Sequence, residues 1–197
     1  MKRLANSLLL LLLYLPRATA QAAPAQGDHE LQLWTGGGPS VRGGVGGIGT
    51  WNLGLRYGWV LTDLHGPAIV RGRFEYAWDV VPVFCVFEPK RTAYGFAVDP
   101  FALKWDFQQR RLFIPYVEIS GGALFTSRDV PPEVSRVNFA SGAAVGLYFP
   151  AGKFHWSAEL RYMHISDAGL TNPNPGINTI QVRLGLGVFR HRKERQL

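Results

Sequence analysis

In Trp51-Asn52-Leu53-Gly54-Leu55-Arg56-Tyr57-Gly58-Trp59-Val60-Leu61-Thr62, large apolar residues hold every odd position from Trp51 to Leu61. Asn52, Gly54, Arg56, Gly58, Val60 and Thr62 fill the even ones. Successive side chains of a strand point to opposite faces, so this is one apolar stripe backed by a more polar one. Aromatic residues stand near both ends of the apolar stripe. The same period of two recurs near 29–35, 50–61, 68–81, 93–105, 112–125, 137–149, 154–166 and 178–189, which predicts eight strands. Within the fourth run, Tyr94, Phe96 and Val98 share one parity and Phe101, Leu103 and Trp105 the other, which predicts a bulge at Asp99-Pro100.

The expected connections alternate in length. Those after strands one, three, five and seven are long: Gly36 to Gly49, the segment around Glu88 to Arg91, Ser127 to Arg136, and Asp167 to Ile177. Those after strands two, four and six are shorter: Asp63 to Pro67, Asp106 to Arg111, and Pro150 to Lys153. An even number of antiparallel strands with long loops at one end is the pattern of a transmembrane barrel.

The two faces decide which way the wall is turned. Val70, Phe74, Tyr76, Trp78 and Val80 alternate with Arg71, Arg73, Glu75 and Asp79, and Ile180, Val182, Leu184, Leu186 and Val188 alternate with Thr179, Gln181 and Arg183. A water-soluble ligand-binding barrel would put the apolar set inside. Eight strands leave an interior just wide enough for side chains, and this many aromatics would overfill it. The expectation is therefore all-β: an eight-stranded antiparallel transmembrane β-barrel with a polar interior. Its lumen holds Arg56, Arg71, Arg73, Arg161 and Arg183 against Glu75, Asp79, Glu118 and Glu159.

Composition agrees. The chain has 197 residues, 47% hydrophobic and 18% charged, which excludes intrinsic disorder. A single Cys, Cys85, closes no internal disulfide and builds no cysteine zinc site. The longest apolar run, Leu8 to Leu15, is far short of the roughly 20 residues of a spanning helix. With Lys2 and Arg3 before it and Ala18-Thr19-Ala20 after it, that run reads as a secretory signal peptide over 1–20. The barrel domain is then 21–189 and a basic periplasmic tail 190–197. Export and a barrel together imply the bacterial outer membrane. One feature fits less well: outer-membrane barrels tend to end in an aromatic residue, and Phe189 is followed by eight more. The leader carries three basic residues and no acid, so the formal charge of +7 falls to +4 without it; the tail accounts for +3 more. The body is nearly neutral, which removes the case for a nucleic-acid partner. Gly44-Val45-Gly46-Gly47-Ile48-Gly49 fits G-x-G-x-x-G, but no helix pattern follows, so it reads as a mobile loop. His29, His65, His155 and His191 lack metal-ligand spacing. Neither metal nor cofactor is implied.

The seventh run continues Phe154, Trp156, Ala158, Leu160 and Tyr162 with His164 and Ser166 on the same parity. Residues at i and i+2 of a strand lie about 6 to 7 Å apart at Cα, so the imidazole of His164 can reach the Ser166 hydroxyl. That is the base and nucleophile pair of a serine hydrolase. A hairpin centred on Thr171 sets Asn178 opposite His164. Spacing alone leaves open a plainly interfacial pair bonded to headgroups or loop backbone.

The words around the pair, Arg161-Tyr162-Met163-His164-Ile165-Ser166-Asp167-Ala168-Gly169-Leu170 and Asn172-Pro173-Asn174-Pro175-Gly176-Ile177-Asn178, resemble the signature of the lipid A deacylase (acyloxyacyl hydrolase-like) family of outer-membrane barrels. The resemblance implies a serine esterase that removes an ester-linked acyl chain from the lipid A of lipopolysaccharide. Its site would lie on the outer wall, facing the outer leaflet. It implies Ser166 as nucleophile, His164 as base and a backbone amide near Gly169 at the oxyanion. The chain departs from the family at two places. Asn178 stands where the acid of the triad is expected, and Asp167 where an Asn is expected to donate to the oxyanion. Asp167 is a candidate to orient His164 instead. Trp156 and Tyr162 are expected to contact the substrate. The expected partners are lipid A and outer-membrane lipids, with a homo-oligomer left open. The alternative is a non-catalytic outer-membrane barrel of the same family with a structural or lipid-binding role.

Overall fold

The computed structural model describes residues 23–190; the expected leader and the tail beyond Arg190 lie outside the described residues. The strands are β1 (His29–Pro39), β2 (Gly49–Val60), β3 (Gly72–Glu88), β4 (Arg91–Phe107), β5 (Ile114–Thr126), β6 (Val137–Ala151), β7 (Phe154–Ser166) and β8 (Ile177–Arg190). Each pairs antiparallel with the next, and β1 pairs with β8 to close the barrel. Closure leaves no edge strand, so ladder groups are satisfied within the wall, as a bilayer requires. No helix of the described residues is long and apolar enough to cross a membrane.

The exterior is apolar. Leu33, Leu55, Trp78, Val145, Leu160 and Leu184 are each about half exposed. Aromatics gather toward both ends of this belt. Near the chain termini Trp59 stacks on Tyr76 at 5.9 Å, and near the opposite, loop end Phe96 stacks on Phe125 at 5.0 Å. Trp34 is the exception among the tryptophans. It turns into the lumen, in space that exists because residue 54 has no side chain: a Cβ there would lie 2.2 Å from the Trp34 ring.

The middle of the lumen is ionic. Arg56 donates from Nε to Asp79 Oδ1 at 2.9 Å and from Nη1 to Glu118 Oε2 at 2.5 Å. Arg161 donates to Glu159 at 2.7 Å, to Ser120 at 2.6 Å and also to Glu118. The Arg183 guanidinium lies 3.6 Å from the Trp34 ring centroid. Arg71 is not part of this network. It is exposed in the turn before β3, where its carbonyl accepts the Gln108 amide at 2.7 Å. Glu30, Lys104, Asp99 and Asp106 are buried there as well; Lys104 Nζ pairs with Glu75 at 2.9 Å and Glu30 at 3.2 Å.

The ionic layer does not fill the barrel. Ile48, Phe84, Val86, Leu124, Val130, Met163, Ile165 and Ile177 close the loop end with an apolar cluster, and Val60, Ile114, Tyr116, Tyr148 and Phe189 line the terminus end.

Strand three is where period-two reading slips. It begins at Gly72, not near 68, and runs on to Glu88. Val81 and Phe84 are both buried while Pro82 and Val83 between them are exposed, so the register shift there breaks the alternation and hides the continuation. The connection to β4 is accordingly the two residues Pro89-Lys90 and not a long loop, whereas the β2–β3 connection, 61–71, is not a short one. The bulge expected at Asp99-Pro100 is present as the register shift between Val98 and Phe101.

Candidate active site

Along β7, Arg161, Met163 and Ile165 are buried inside the barrel, so Tyr162, His164 and Ser166 lie on its outer surface at the loop end. The β7–β8 ladder pairs His164 with Asn178 and Ile165 with Ile177, the register expected from a hairpin centred on Thr171. Three polar side chains converge as a result. His164 Nε2 is 3.0 Å from Ser166 Oγ, and His164 Nδ1 is 2.6 Å from Asn178 Oδ1. The Tyr162 hydroxyl donates to the same Asn178 Oδ1 at 2.8 Å. Ser166 and Asn178 are nearly buried although both sit on the outside of the wall.

The β1–β2 loop, 40–48, lies against Asn178. The Val41 amide donates to the Asn178 carbonyl at 2.7 Å and the Val45 amide to the Gly176 carbonyl at 2.9 Å. Asn178 Nδ2 reaches the Arg42 carbonyl at 3.5 Å. The Gly-rich segment expected to be a mobile loop is thus strapped to the start of β8. The approach depends on absent side chains. A Cβ on Gly43, at φ +100°, would lie 2.9 Å from Asn178 Nδ2, and one on Gly176, at φ +62°, would lie 2.8 Å from the His164 ring. Sequence reading missed this contribution; its signal was the run of glycines, which marks close backbone approach as readily as mobility.

Three other expectations change. Asp167 does not orient His164: its carboxylate turns into the β7–β8 connection, accepting the Gly169 amide at 3.0 Å and the Thr171 amide at 2.8 Å. Hydrogen bonding from Thr171, aided by backbone amides that include Gly169, outweighs desolvation and holds the Asp167 carboxyl below its ordinary range. The Gly169 amide, expected at the oxyanion, is therefore already engaged. Trp156 stands on the same strand and face as Ser166, but ten residues away, about 33 Å at the rise of a strand. That exceeds one leaflet's half of a hydrocarbon core roughly 30 Å thick, so Trp156 belongs to the opposite aromatic girdle and not to this site. No group of His, Cys, Asp and Glu among the described residues could hold a metal ion.

Beside the trio the wall is hollowed. The ladders set Phe139 opposite Ser166 and Ser141 opposite His164, and on the next strand Ala123 and Gly121 continue the same two rows. Because these are mostly small residues, a shallow apolar depression of about 640 Å³ opens over them, bounded by Val98, Pro100, Phe125 and Phe139.

Residues 50–187 match the model of the family described as lipid A 3-O-deacylase (PagL). No curated protein matches the chain. Among solved structures, the outer membrane enzyme PagL superposes with a TM-score of 0.61 at 22% identity, over 78% of this chain and 97% of that one. Neisserial surface protein A gives 0.58 at 16% identity, over 84% and 99%. The outer membrane protein OprG from Pseudomonas aeruginosa gives 0.55 at 10%, over 85% and 98%. At these identities the likeness to the solved structures is one of fold.

Proposed function

The chain belongs to the lipid A 3-O-deacylase (PagL) family of outer-membrane barrels, and from that premise we propose that it is a serine esterase cleaving the 3-O-linked acyl chain of lipid A, with Ser166 as nucleophile. The observation that carries the reading is the relay Asn178 Oδ1 to His164 to Ser166 Oγ, at 2.6 Å and 3.0 Å, on the outer wall. These are hydrogen-bond distances for a base held on one ring nitrogen and aimed with the other.

In this mechanism the His164 Nδ1–H donates to Asn178, which leaves the Nε2 lone pair facing Ser166. Ser166 Oγ attacks the ester carbonyl as its proton passes to Nε2. The tetrahedral intermediate collapses with transfer of that proton to the departing sugar oxygen, leaving an acyl-Ser166. Water, deprotonated by the same nitrogen, then releases the fatty acid and restores the serine. For the oxyanion we assign the Ala168 amide, which makes no hydrogen bond among the described residues and belongs to a non-glycine residue at φ 58°. Backbone held in a sparsely populated region beside a nucleophile fits a site that stores strain for function.

The depression over Gly121, Ala123 and Ser141 begins beside Ser166 and is lined almost wholly by apolar atoms, which suits the acyl chain. The loop end then faces the outer leaflet, where the substrate resides, with both chain termini in the periplasm. Residues 1–20 supply the leader that export requires, and 190–197 a short basic periplasmic tail. No cofactor takes part.

Mass spectrometry of lipid A from cells making the native chain or Ser166→Ala tests this. The native chain is expected to yield lipid A lighter by one acyl group and the variant unmodified lipid A. Identical acyl patterns from the two would reject the esterase and leave a barrel with a structural or lipid-binding role.

A further inference from the structure

A carboxylate accepts a hydrogen bond from imidazole whichever way it is rotated, because both its oxygens are acceptors. Asn178 has one accepting end and one donating end. Turned over, its Nδ2 would face His164 Nδ1, and the imidazole would have to carry its proton on Nε2, pointing at Ser166. In that tautomer the ring cannot take the serine proton. An asparagine at this position therefore works only if something holds its amide one way round.

We infer that Tyr162 is that positioning residue: its hydroxyl fixes Asn178 with Oδ1 toward His164 and so selects the base-competent tautomer. The Tyr162 hydroxyl donates to Asn178 Oδ1 at 2.8 Å, the oxygen that also lies 2.6 Å from His164 Nδ1. The far end of the amide is met by an acceptor, the Arg42 carbonyl, 3.5 Å from Nδ2. Donors gather at the oxygen and an acceptor at the nitrogen, so the flipped amide would set its oxygen against the Arg42 carbonyl and turn Tyr162 from donor to acceptor, leaving the phenol proton without the partner it has here. The ladder makes the arrangement possible. Tyr162 and His164 share one face of β7, and Asn178 lies opposite His164 and diagonal to Tyr162, within reach of a long side chain. A lipid-facing tyrosine ordinarily sends its hydroxyl to water or headgroups; this one returns it to the wall.

The inference deepens the serine-esterase reading and rests on it for its catalytic meaning, but the tautomer can be observed without turnover. The full chain, refolded in detergent micelles with 15N-labelled histidine, reports the His164 ring nitrogens by NMR, assigned with His164→Gln. The native ring is expected to hold its proton on Nδ1. In Tyr162→Phe the two tautomers mix, and kcat for deacylation falls about five- to ten-fold, the worth of one neutral hydrogen bond, with KM within about two-fold. Asn178→Asp in the Tyr162→Phe background restores the Nδ1–H tautomer and removes the kcat penalty, since a carboxylate has no wrong way round. A native ring protonated on Nε2 overturns the inference, even if Tyr162→Phe does not fold. So does Tyr162→Phe with the native tautomer and kcat, or a penalty that Asn178→Asp leaves in place. A native chain with the expected tautomer and no deacylation refutes the esterase while leaving the positioning role standing.

Discussion

Two groups of polar side chains sit in apolar surroundings here, one inside the barrel and one outside, and they are built differently. The inner group is ionic: Arg56 between Asp79 and Glu118, Arg161 between Glu118 and Glu159, Lys104 among Glu30 and Glu75. Its members are held by one another and sealed by apolar clusters at both ends. The outer group, Tyr162, His164, Ser166 and Asn178, carries no carboxylate and is only partly covered. Opposite charges in direct contact tie strands together, whereas a relay without a carboxylate, open on one side, is free to move a proton. Strand β7 contributes to both, with Glu159 and Arg161 on one face and His164 and Ser166 on the other.

If the contrast is sound, substitutions on the two sides of the wall should separate activity from stability. His164→Ala removes the base and should lower deacylation by about 10³-fold or more, with unfolding in urea unchanged; a comparable loss of stability would blur the division. Arg56→Ala should do the reverse. It takes from Asp79 its closest ion-pair partner and leaves Glu118 to Arg161 alone, and should cost about 3 to 5 kcal/mol of barrel stability, while each folded molecule keeps its activity. Retained stability there would mean that the lumen charges are hydrated or neutralised some other way.

Much of this division could be read from the sequence because a strand's parity is a binary variable. Once Trp51 to Thr62 fixed the period, Arg56, Arg161 and Arg183 fell inside and His164 and Ser166 outside, and hairpin symmetry about Thr171 paired His164 with Asn178. Parity fails where a register shifts, which hides the part of β3 beyond Val81, and it does not say where a strand starts, which is why Arg71, one residue before β3, reads as a lumen residue. Nor does it describe contacts between loops. The strap of Val41 and Val45 on Asn178 and Gly176, the turn in which Asp167 holds Gly169, and the return of the Tyr162 hydroxyl depend on packing that no strand pattern encodes.

The strap gives a finer cut. Gly43→Ala adds a Cβ 2.9 Å from Asn178 Nδ2 at φ +100°, a conformation costing a non-glycine residue about 1 to 3 kcal/mol. Deacylation should drop roughly ten-fold by displacement of Asn178, with the lumen and the urea midpoint nearly untouched. Full activity would show that the strap only lies against Asn178.

The smallest effect concerns pH. Asp167 has a depressed folded-state pKa, so its hold on the turn is complete above the ordinary aspartate range near pH ~4 and is lost as pH falls through the lower folded value. A spin label at the exposed position Leu170 should gain mobility on acidification below about pH 4 in the native chain. In Asp167→Ala it should be mobile throughout; identical pH responses would assign the turn's order to other contacts.

The central claim is that a serine on the lipid-facing wall is the activated nucleophile. Incubating the purified full chain with a serine-directed fluorophosphonate and mapping the adduct by peptide mass spectrometry tests it most directly. The account predicts one adduct, on Ser166, absent from His164→Ala. Modification of another serine with Ser166 untouched, or no modification at all, would contradict it.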